Sequence, residues 1–475
     1  MLWICLYFPD LPLQVFSRAS NASGPVVVST MGRAPEALAC NNAALESGIF
    51  PAMSITAAYA LAPQLQVCLR NTALEARALA SVALWAGRFT PVVSLAEPFA
   101  VLLEIGGCLK YFHGLQLLLD EVRTGLEALG YSAVIATAPV AAGALLLSRA
   151  GQSTQITESH KLAAHIAALP IGALDHPCVD LQKLAAMGIN TIGDCLGLPR
   201  EGLARRFGQR LLDALDRALG RLPDPRPSFI SPERFVSRLE LPAPVWEVEA
   251  LLFGLKRLAV ELCGWLAGRG AGVTRLVVEL QHEKDSPTRV AVGLIASRAA
   301  DHLLLLLRER LSRTELPSGV VAIALESVET ALLAPRNLSL FKDPEKDKQD
   351  HSTLVEKLRA RLGDEAICGL KLCAEHRPEL AWCFGEPGNT DPLCFAIPPR
   401  PLWLLPQPCP LPGSCTVFEG PLTLLSDPER IESGWWDGAD VTRDYFVAGD
   451  GGGTRLWVFR ERRDLMRWFL HGVFA

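Results

Sequence analysis

The chain has 475 residues, of which 49% are hydrophobic, and a formal net charge of -5 at pH 7. The length indicates several domains, and the apolar content excludes extensive disorder because it can supply each domain with a core. With 46 basic and 51 acidic residues, the chain lacks the large excess of Lys and Arg that a surface coated for non-specific nucleic-acid binding needs, so any DNA contact is expected to be local.

The 13 cysteines include no CxxC pair, which favours a reduced cytoplasmic protein over a disulfide framework. Six of them are close together near the end of the chain, but irregular gaps and the lack of an ordered His partner favour structural thiols over a zinc site. These six are Cys368, Cys373, Cys383, Cys394, Cys409 and Cys415. No segment approaches the roughly 20 apolar residues of a membrane helix. We expect no membrane contact, no metal and no cofactor.

The first 150 residues predict alternating strands and helices. Short apolar or β-branched runs next to Pro or Gly indicate the strands, and longer runs with helical spacing indicate the helices. The predicted strands are 2–8, 25–29, 92–96, 100–105 and 132–138, and the predicted helices begin at Leu13 or span 35–47, 72–86, 114–129 and 141–150. This pattern predicts one α/β module.

The next region is helical and rich in arginine. Its predicted helices are 181–187, 191–196 and 203–219, and seven Arg stand against four acidic residues between 200 and 226. After the prolines at 223, 225 and 227, the order strand, helix, strand, strand, helix, strand up to residue 328 is that of a split βαβ, ferredoxin-like unit.

The last part of the chain begins with a charged stretch. No apolar residue occurs between 343 and 350, so this stretch is expected to be flexible. Strands are predicted at 445–448 and 455–460, with a glycine-rich turn at 449–453 between them. A phosphate loop is the weaker interpretation of that turn because no Lys-Ser/Thr follows it.

Four motifs, taken in chain order, resemble those of one enzyme family. Residues 44–53, 103–114, 188–194 and 206–208 are similar to the fingers, palm and thumb motifs of Y-family translesion DNA polymerases. The resemblance implies an α+β multidomain fold shaped like a right hand, with a further C-terminal domain that contains strands. The expected parts are a palm over 1–165 with fingers inserted at about 20–75, a helical thumb over 166–230, a split βαβ little finger over 231–334, a linker over 335–352 and a C-terminal domain over 353–475.

The positions that correspond to the family's metal-binding carboxylates carry other residues. The first strand of the family has D-x-D, where this chain reads Leu-Tyr-Phe-Pro at 6–9, and the family's later Asp-Glu pair is replaced by Phe99 and Ala100. Two metals held by carboxylates are required for phosphoryl transfer of this kind. Asp10, Glu97 and Glu104 are interpreted as ordinary acids, although a shifted register in which Asp10 and Glu97 hold one metal stays open.

Residues that contact the triphosphate in the family are also replaced, with Asn42 and Leu45 at the fingers positions and Ala141 and Leu145 at the palm Lys positions. We therefore expect no catalytic residue and a protein that is not an enzyme. The alternatives are a low-activity DNA-dependent DNA polymerase with a rearranged metal site, and a plain DNA-binding protein.

The C-terminal motifs resemble the non-catalytic Y-family proteins of bacterial mutagenesis cassettes. These motifs are residues 400–405, 428–432, 435–436, 443–446, 455–460 and 468–472. The resemblance implies an adaptor in SOS-type, DNA-damage-induced mutagenesis and translesion synthesis. Its implied partners are DNA, the bacterial sliding clamp, an error-prone replicative-type DNA polymerase and a RecA-like protein.

The segment Asn337, Leu338, Ser339, Leu340 and Phe341 resembles the bacterial clamp-binding pentapeptide Gln-Leu-Ser/Asp-Leu-Phe, with Asn in place of Gln. Leu340 and Phe341 would be its apolar anchors. The alternative is that the segment ends the preceding strand and packs on a core.

Candidate DNA contacts are in the arginine-rich region. Arg205, Arg206 and Arg210 are predicted to bind phosphates, and Gly193 and Gly208 to let backbone amides approach them. The alternative is a solvated helix face, since two acidic residues belong to the same helix. Aromatic residues are frequent after residue 434, and most of them are expected to form a core.

Overall fold

The computed structural model describes residues 1–18, 24–174, 184, 186–333, 344–387, 399–412, 422–463 and 467–474, without the side chains of 344–352 and 364. The chain divides into two compact units, Met1–Pro344 and Glu345–Ala475. Within the described residues, no helix has both the length and the apolar character needed to cross a membrane. The finer boundaries predicted at 165, 230, 334 and 352 stay predictions.

The first unit contains eleven strands, twelve α-helices and a 3-10 helix (Ile171–Leu174) among its described residues. The strands are β1 (Trp3–Tyr7), β2 (Val26–Ser29), β3 (Ala37–Cys40), β4 (Gln66–Leu69), β5 (Val93–Ala96), β6 (Ala100–Glu104), β7 (Val134–Ala138), β8 (Val236–Val245), β9 (Ala271–His282), β10 (Thr288–Ser297) and β11 (Val320–Leu332). The helices are α1 (Leu11–Ser17), α2 (Asn42–Glu46), α3 (Ile55–Leu61), α4 (Thr72–Ala86), α5 (Leu115–Leu129), α6 (Ala141–Arg149), α7 (Ser159–Ala167), α8 (Ile192–Leu196), α9 (Arg200–Phe207), α10 (Gln209–Ala218), α11 (Val248–Gly268) and α12 (Ala300–Leu311).

An antiparallel sheet of order β5-β6-β1-β7, here called the palm sheet, is buried on both faces. Because side chains alternate along a strand, Ile4 and Leu6 point to one face, where they share a core with residues of α1, α4 and α5. Cys5 points to the other face and shares a core with residues of α6 to α10. The sheet is therefore the middle layer of three, and both cores fix its register.

The fingers-like insertion corrects one predicted helix. Residues 35–47 were expected to be helical, but Ala37–Cys40 is strand β3, and only Asn42–Glu46 is helix α2. β3 pairs with β2, which also pairs with β4, so ladder hydrogen bonds outweigh the helix propensity of alanine. The Asn41 side chain accepts from the Ala44 backbone N–H at 2.9 Å and caps the shortened helix.

The arginine-rich region also differs from its prediction. Residues 203–219 were expected to form one helix, but they belong to α9 and α10, which meet at Gly208. Gly208 has a φ of +83°, a conformation that favours glycine and interrupts a right-handed helix. The predicted helix at 191–196 is present as α8, where Thr191 and Asp194 form a capping box. The predicted helix at 181–187 lies mostly outside the described residues.

The split βαβ arrangement predicted before residue 328 is present. The sheet has the order β10-β9-β11-β8, and β11 is antiparallel to both neighbours, so β8 and β9 run in the same direction with β11 between them. Helix α11 packs against α4 of the palm region as well as against this sheet. Trp85 of α4 lies against Gly125 and Gly264. A Cβ atom added to Gly125 would be 2.2 Å from the Trp85 ring, and one added to Gly264 would be 2.4 Å from it. The two mid-helix glycines thus permit this packing.

The second unit is mainly β-structure. It contains α13 (Pro344–Leu362, whose first residue belongs to the first unit), β12 (Gly369–Leu372), β13 (Trp382–Gly385), β14 (Trp403–Leu411), β15 (Thr423–Leu424), β16 (Glu429–Ser433), β17 (Val441–Gly449), β18 (Arg455–Glu461) and β19 (Trp468–Val473), with 3-10 turns at Asp364–Ala366 and Pro378–Leu380. A large sheet has the order β14-β19-β18-β17-β15, β16 pairs with β17, and β12 and β13 form a separate pair. The turn predicted at 449–453 joins the β17–β18 hairpin.

The expectation of a flexible charged stretch is wrong for its described part, because helix α13 begins at Pro344. Proline is favoured in the first turn of a helix, and Leu354, Leu358 and Leu362 recur at the spacing of one helix face. The helix that these leucines indicate therefore also includes the charged residues before them.

Among the described residues after residue 434, most aromatic side chains belong to the core, as expected. Tyr445, Trp457 and Phe459 are at most 3% exposed, whereas Trp435 and Trp436 are 79% and 58% exposed. With both helices and strands in the first unit and a strand-rich second unit, the predicted α+β multidomain class with a further C-terminal strand domain is confirmed.

Candidate functional site

The polymerase-like site is at one end of the palm sheet. Tyr7 of β1 is paired with Ala100 of β6, and the Phe8 backbone N–H donates to the Phe99 carbonyl oxygen at 2.8 Å. The tertiary structure therefore brings together the two chain segments that would carry the metal ligands of a polymerase. At this meeting point the side chains are phenol, phenyl and methyl, none of which is a ligand for Mg²⁺.

The surroundings of these positions are apolar. Ala100 is 1% exposed and shares a core with Ala141 and Leu145, the two residues at the palm Lys positions. Leu145 is 8% exposed and Ala141 is 2% exposed. Phe99 packs against the core on the other side of the sheet, with the guanidinium of Arg70 5.9 Å from its ring centroid. A divalent cation placed here would lose its hydration without gaining charged ligands, which is strongly unfavourable.

The three nearby acids are not arranged as a metal site. Asp10 and Glu97 are exposed at the end of the sheet that holds Tyr7. Glu104 is paired with Trp3, at the opposite end of β1, and its Oε1 accepts from the Leu2 and Gly106 backbone N–H groups at 3.2 and 3.1 Å. Within the described residues, no three His, Cys, Asp or Glu side chains are grouped to hold a metal.

The fingers positions also lack the family's contacts. Asn42 and Leu45 are both exposed on the short helix α2, where neither an amide nor an isobutyl group supplies the positive charge that a triphosphate needs. The expected triphosphate contacts are thus replaced at both the fingers positions and the palm positions.

Arg205, Arg206 and Arg210 are exposed on either side of the α9–α10 junction. Arg205 is 4.0 Å from Glu201, and Arg206 donates to the Met187 sulfur at 3.2 Å. The two acids of α10, Asp213 and Asp216, interact with other side chains.

Asp216 is the acid that partners other arginines of this region. It forms ion pairs with Arg200 and, at 3.7 Å, with Arg221, while Asp213 accepts from Gln209 at 2.9 Å. The hydrogen bond from Arg200 holds the pKa of Asp216 below its usual value. Among the described residues, Arg206 and Arg210 form no ion pair and Arg205 has only the distant Glu201, so all three can bind an external anion.

The two candidate glycines have different surroundings. A Cβ atom at Gly193 would be 2.8 Å from the Ala167 carbonyl oxygen, so packing of α8 on α7 is sufficient reason for glycine there. A Cβ atom at Gly208 would have no atom within 4 Å, so the backbone at the α9–α10 junction is open to solvent. Gly208 is the better candidate for close approach of a phosphate.

The predicted clamp-binding residues Asn337, Leu338, Ser339, Leu340 and Phe341 lie outside the described residues. The preceding strand β11 ends at Leu332 and the following helix α13 begins at Pro344.

The sequence analysis missed a buried polar cluster in the first unit. Arg18 donates to Glu261 at 2.5 Å and to the Tyr131 hydroxyl, and Ser237 donates to the second oxygen of Glu261 at 2.5 Å. Arg18 and Glu261 are 5% and 1% exposed. An isolated acid in the apolar stretch 258–266 was the available signal, since a buried charge requires a partner.

The family model described as impB/mucB/samB matches residues 14–149 of this chain. Two curated relatives match most of the chain. Each is named Protein ImuB, one from Caulobacter vibrioides strain NA1000 / CB15N and one from strain ATCC 19089 / CIP 103742 / CB 15, and each is 26% identical over 459 residues, covering 90% of this chain and 100% of the relative.

Solved structures of Y-family polymerases also match. A Y-family DNA polymerase chimera, Dbh-Dpo4(243-245)-Dbh, is 18% identical with a TM-score of 0.39, covering 70% of this chain and 100% of its own. DinB from Sulfolobus solfataricus is 19% identical with a TM-score of 0.39, covering 69% and 98%. The family match and the ImuB match together confirm the resemblance inferred from the sequence motifs.

Proposed function

Since this chain resembles ImuB over nine-tenths of its length and carries an impB/mucB/samB segment, we propose that it is a catalytically inactive, polymerase-like adaptor in DNA-damage-induced mutagenesis. The observation that carries this proposal is the pairing of Tyr7 with Ala100, with Phe99 beside them. At these positions a translesion polymerase would need carboxylates.

The physical reason is the loss of two independent requirements of the reaction. Two metals must neutralise the charge that develops on the transferring phosphate, and they need carboxylate or similar oxygen ligands at fixed positions. The triphosphate must also be held by side chains that include cationic ones, and these contacts are replaced at the exposed Asn42 and Leu45 and the buried Ala141 and Leu145. Electrostatic stabilisation is usually the largest contribution to catalysis, so its loss removes turnover.

The runner-up function is a low-activity DNA polymerase with a rearranged site. The observation that favours it is that Asp10 and Glu97 are both exposed near the same end of the palm sheet. One metal held by two carboxylates would still leave the second metal position of the reaction without a ligand pair.

Primer extension distinguishes the two functions. With primed template, four nucleotides and Mg²⁺ or Mn²⁺, we expect no incorporation above that of the Asp10→Ala/Glu97→Ala/Glu104→Ala variant, because the wild-type chain lacks the metal site. Activity that persists in the triple variant indicates a contaminating polymerase. Activity that disappears in the Asp10→Ala or Glu97→Ala single variant establishes the enzyme and rejects the adaptor proposal.

As an adaptor, the chain would bind the bacterial sliding clamp, an error-prone replicative-type DNA polymerase and an ImuA-type RecA-like protein in the bacterial cytoplasm. The clamp contact is assigned to Asn337, Leu338, Ser339, Leu340 and Phe341. Support comes from their similarity to the clamp-binding pentapeptide and from their position between the end of β11 and the start of α13. Truncation after residue 333 or 350, followed by co-purification with each partner, tests which part of the chain each one requires.

DNA binding is assigned to Arg205, Arg206 and Arg210 together with the open backbone at Gly208. If all three arginines contact phosphates, the Arg205→Ala/Arg206→Ala/Arg210→Ala variant should bind primed DNA more weakly, and the slope of log K against log salt should become shallower by about 2 to 3. Fluorescence anisotropy across a salt series measures both quantities. Gly193 remains a weaker candidate because its packing against Ala167 is already a sufficient reason for glycine at that position.

The matched control removes three arginines that are paired with acids elsewhere in the first unit. Arg123, Arg289 and Arg308 are 2.9, 2.7 and 3.1 Å from Asp120, Glu279 and Glu249. Alanine at these three positions changes the net charge equally but should leave the slope almost unchanged. Equal effects of both triple variants would show that only total charge matters and would reject the assigned site.

A further inference from the structure

The two-stranded sheet β12–β13 holds a close pair of thiols. Cys373 immediately follows the last residue of β12, and Cys383 is in β13. Their sulfur atoms are 3.2 Å apart. Cys383 is exposed and Cys373 is partly exposed, so small molecules in solution can reach the pair.

The exposed cysteines Cys368 and Cys409 have different surroundings. Their sulfurs are 3.5 and 3.9 Å from the backbone oxygens of Glu365 and Pro410. They therefore provide an internal comparison, because they are exposed in the same unit but are not in a sulfur–sulfur contact with each other.

The two sulfurs of the pair are not equivalent. The Cys373 thiol donates its proton to the Cys383 sulfur. This hydrogen bond, followed by partial burial, raises the pKa of the Cys373 thiol. Cys383 is also the more exposed of the two, so it is assigned as the sulfur that attacks an oxidant, and Cys373 as the thiol that resolves the product.

We propose that Cys373 and Cys383 form a reversible redox modification site whose oxidant is a hydroperoxide. The Cys383 thiolate attacks one oxygen of hydrogen peroxide, the O–O bond breaks, and Cys383 becomes a sulfenic acid while the leaving hydroxide takes a proton to form water. Cys373 then loses its proton and attacks the Cys383 sulfur. The S–O bond breaks, a second water leaves, and the disulfide forms. Two thiols and one peroxide yield one disulfide and two waters.

The strand register favours a bridge that is easily reduced. Leu372 is paired with Trp382, so Cys373 and Cys383 are diagonal neighbours rather than directly opposite residues. Diagonal Cα atoms are about 7–8 Å apart in a regular ladder, which is longer than in most disulfides. The strand ends must move together to close the bond. Exposed or distorted disulfides are the ones that thiol reductants open most readily.

The disulfide would fix part of the wall of a cavity of about 480 Å³ in the second unit. Leu372, Cys373 and Trp382 line one part of this cavity, with Leu404 and Trp457 elsewhere in its lining. A disulfide would join the end of β12 to β13 and so fix that wall. Oxidation is expected to restrict the movement of β12 against β13.

Peptide mapping of the full-length chain tests the proposal. After a short exposure to hydrogen peroxide and alkylation of free thiols, we expect a cross-linked peptide joining Cys373 to Cys383, with a mass loss of about 2 Da for two hydrogens. The contact already present between the two sulfurs raises the effective concentration of the resolving thiol. The yield of the 373–383 cross-link should therefore exceed that of any pair involving Cys368 or Cys409 by about tenfold or more. Dithiothreitol should reverse it.

Single serine variants identify the roles of the two sulfurs. In Cys373→Ser the sulfenic acid at Cys383 has no resolving thiol and should accumulate as a dimedone adduct, whereas Cys383→Ser should give little adduct at Cys373. The Cys368→Ser/Cys409→Ser variant should retain the cross-link, and circular dichroism checks that each variant is folded. Absence of the 373–383 peptide from folded wild-type protein, or equal yields among all cysteine pairs, overturns the proposal.

Discussion

Replacing both Leu340 and Phe341 with alanine is expected to abolish binding of this chain to a bacterial sliding clamp. In an extended peptide that enters an apolar groove, buried anchor side chains supply most of the binding free energy. Truncation of such an anchor costs about 2 kcal/mol or more, so loss of both should weaken affinity by roughly 1,000-fold. Isothermal titration of the full-length variant with purified clamp measures the change.

Leu332→Ala is the matched control for the clamp experiment. Leu332 is 84% exposed at the end of β11, a few residues before the motif, so its removal deletes a similar apolar side chain without touching the pentapeptide. The control should bind the clamp as the wild type does, and circular dichroism should show that both variants are folded. An unaltered affinity of the Leu340→Ala/Phe341→Ala variant would mean that the segment is not the clamp contact.

Glu261→Ala is expected to lower the free energy of unfolding by about 3–5 kcal/mol, the usual cost of removing one partner of a buried ion pair. Burial alone would lower the pKa of Arg18, but Tyr131 and Glu261 outweigh it and hold that pKa above its usual value. Arg18 therefore stays charged. Without Glu261, the Tyr131 hydroxyl is the one hydrogen-bond partner that the cation keeps among the described residues, and the Ser237 hydroxyl loses its acceptor. Urea unfolding of the full-length chain measures the difference.

Two further variants distinguish the effect of an unpaired buried charge from that of substitution in general. Arg18→Met/Glu261→Met removes both charges and should cost less than the sum of the two single methionine substitutions, because neither charge is left unpaired. Glu249→Ala breaks the exposed pair with Arg308, whose side chains are 69% and 56% exposed, and should cost less than about 1 kcal/mol. Equal destabilisation by Glu249→Ala and Glu261→Ala would contradict the importance assigned to burial.

Local patterns in the sequence predicted most of the helices and strands, and the exceptions have a common cause. Helix 72–86 coincides with α4 and the turn at 449–453 with the β17–β18 connection, because apolar spacing and turn residues are local signals. Residues 37–40 became strand β3 through pairing with β2. The break at Gly208 depended on one backbone conformation. Such features come from contacts or dihedral angles that periodicity does not record.

The candidate site likewise combines features that the sequence shows with features that only the structure shows. The sequence by itself determined which side chains are present at positions 7, 99 and 100, and hence that no metal carboxylate stands there, because side-chain chemistry is read directly from the residues. Only the tertiary structure decided which residues meet. It paired Tyr7 with Ala100, joined Arg18 to Glu261 and placed the sulfur of Cys373 beside that of Cys383. The physical reason is that strand register and helix packing are set by burial of apolar surface across the whole unit, which no local pattern specifies.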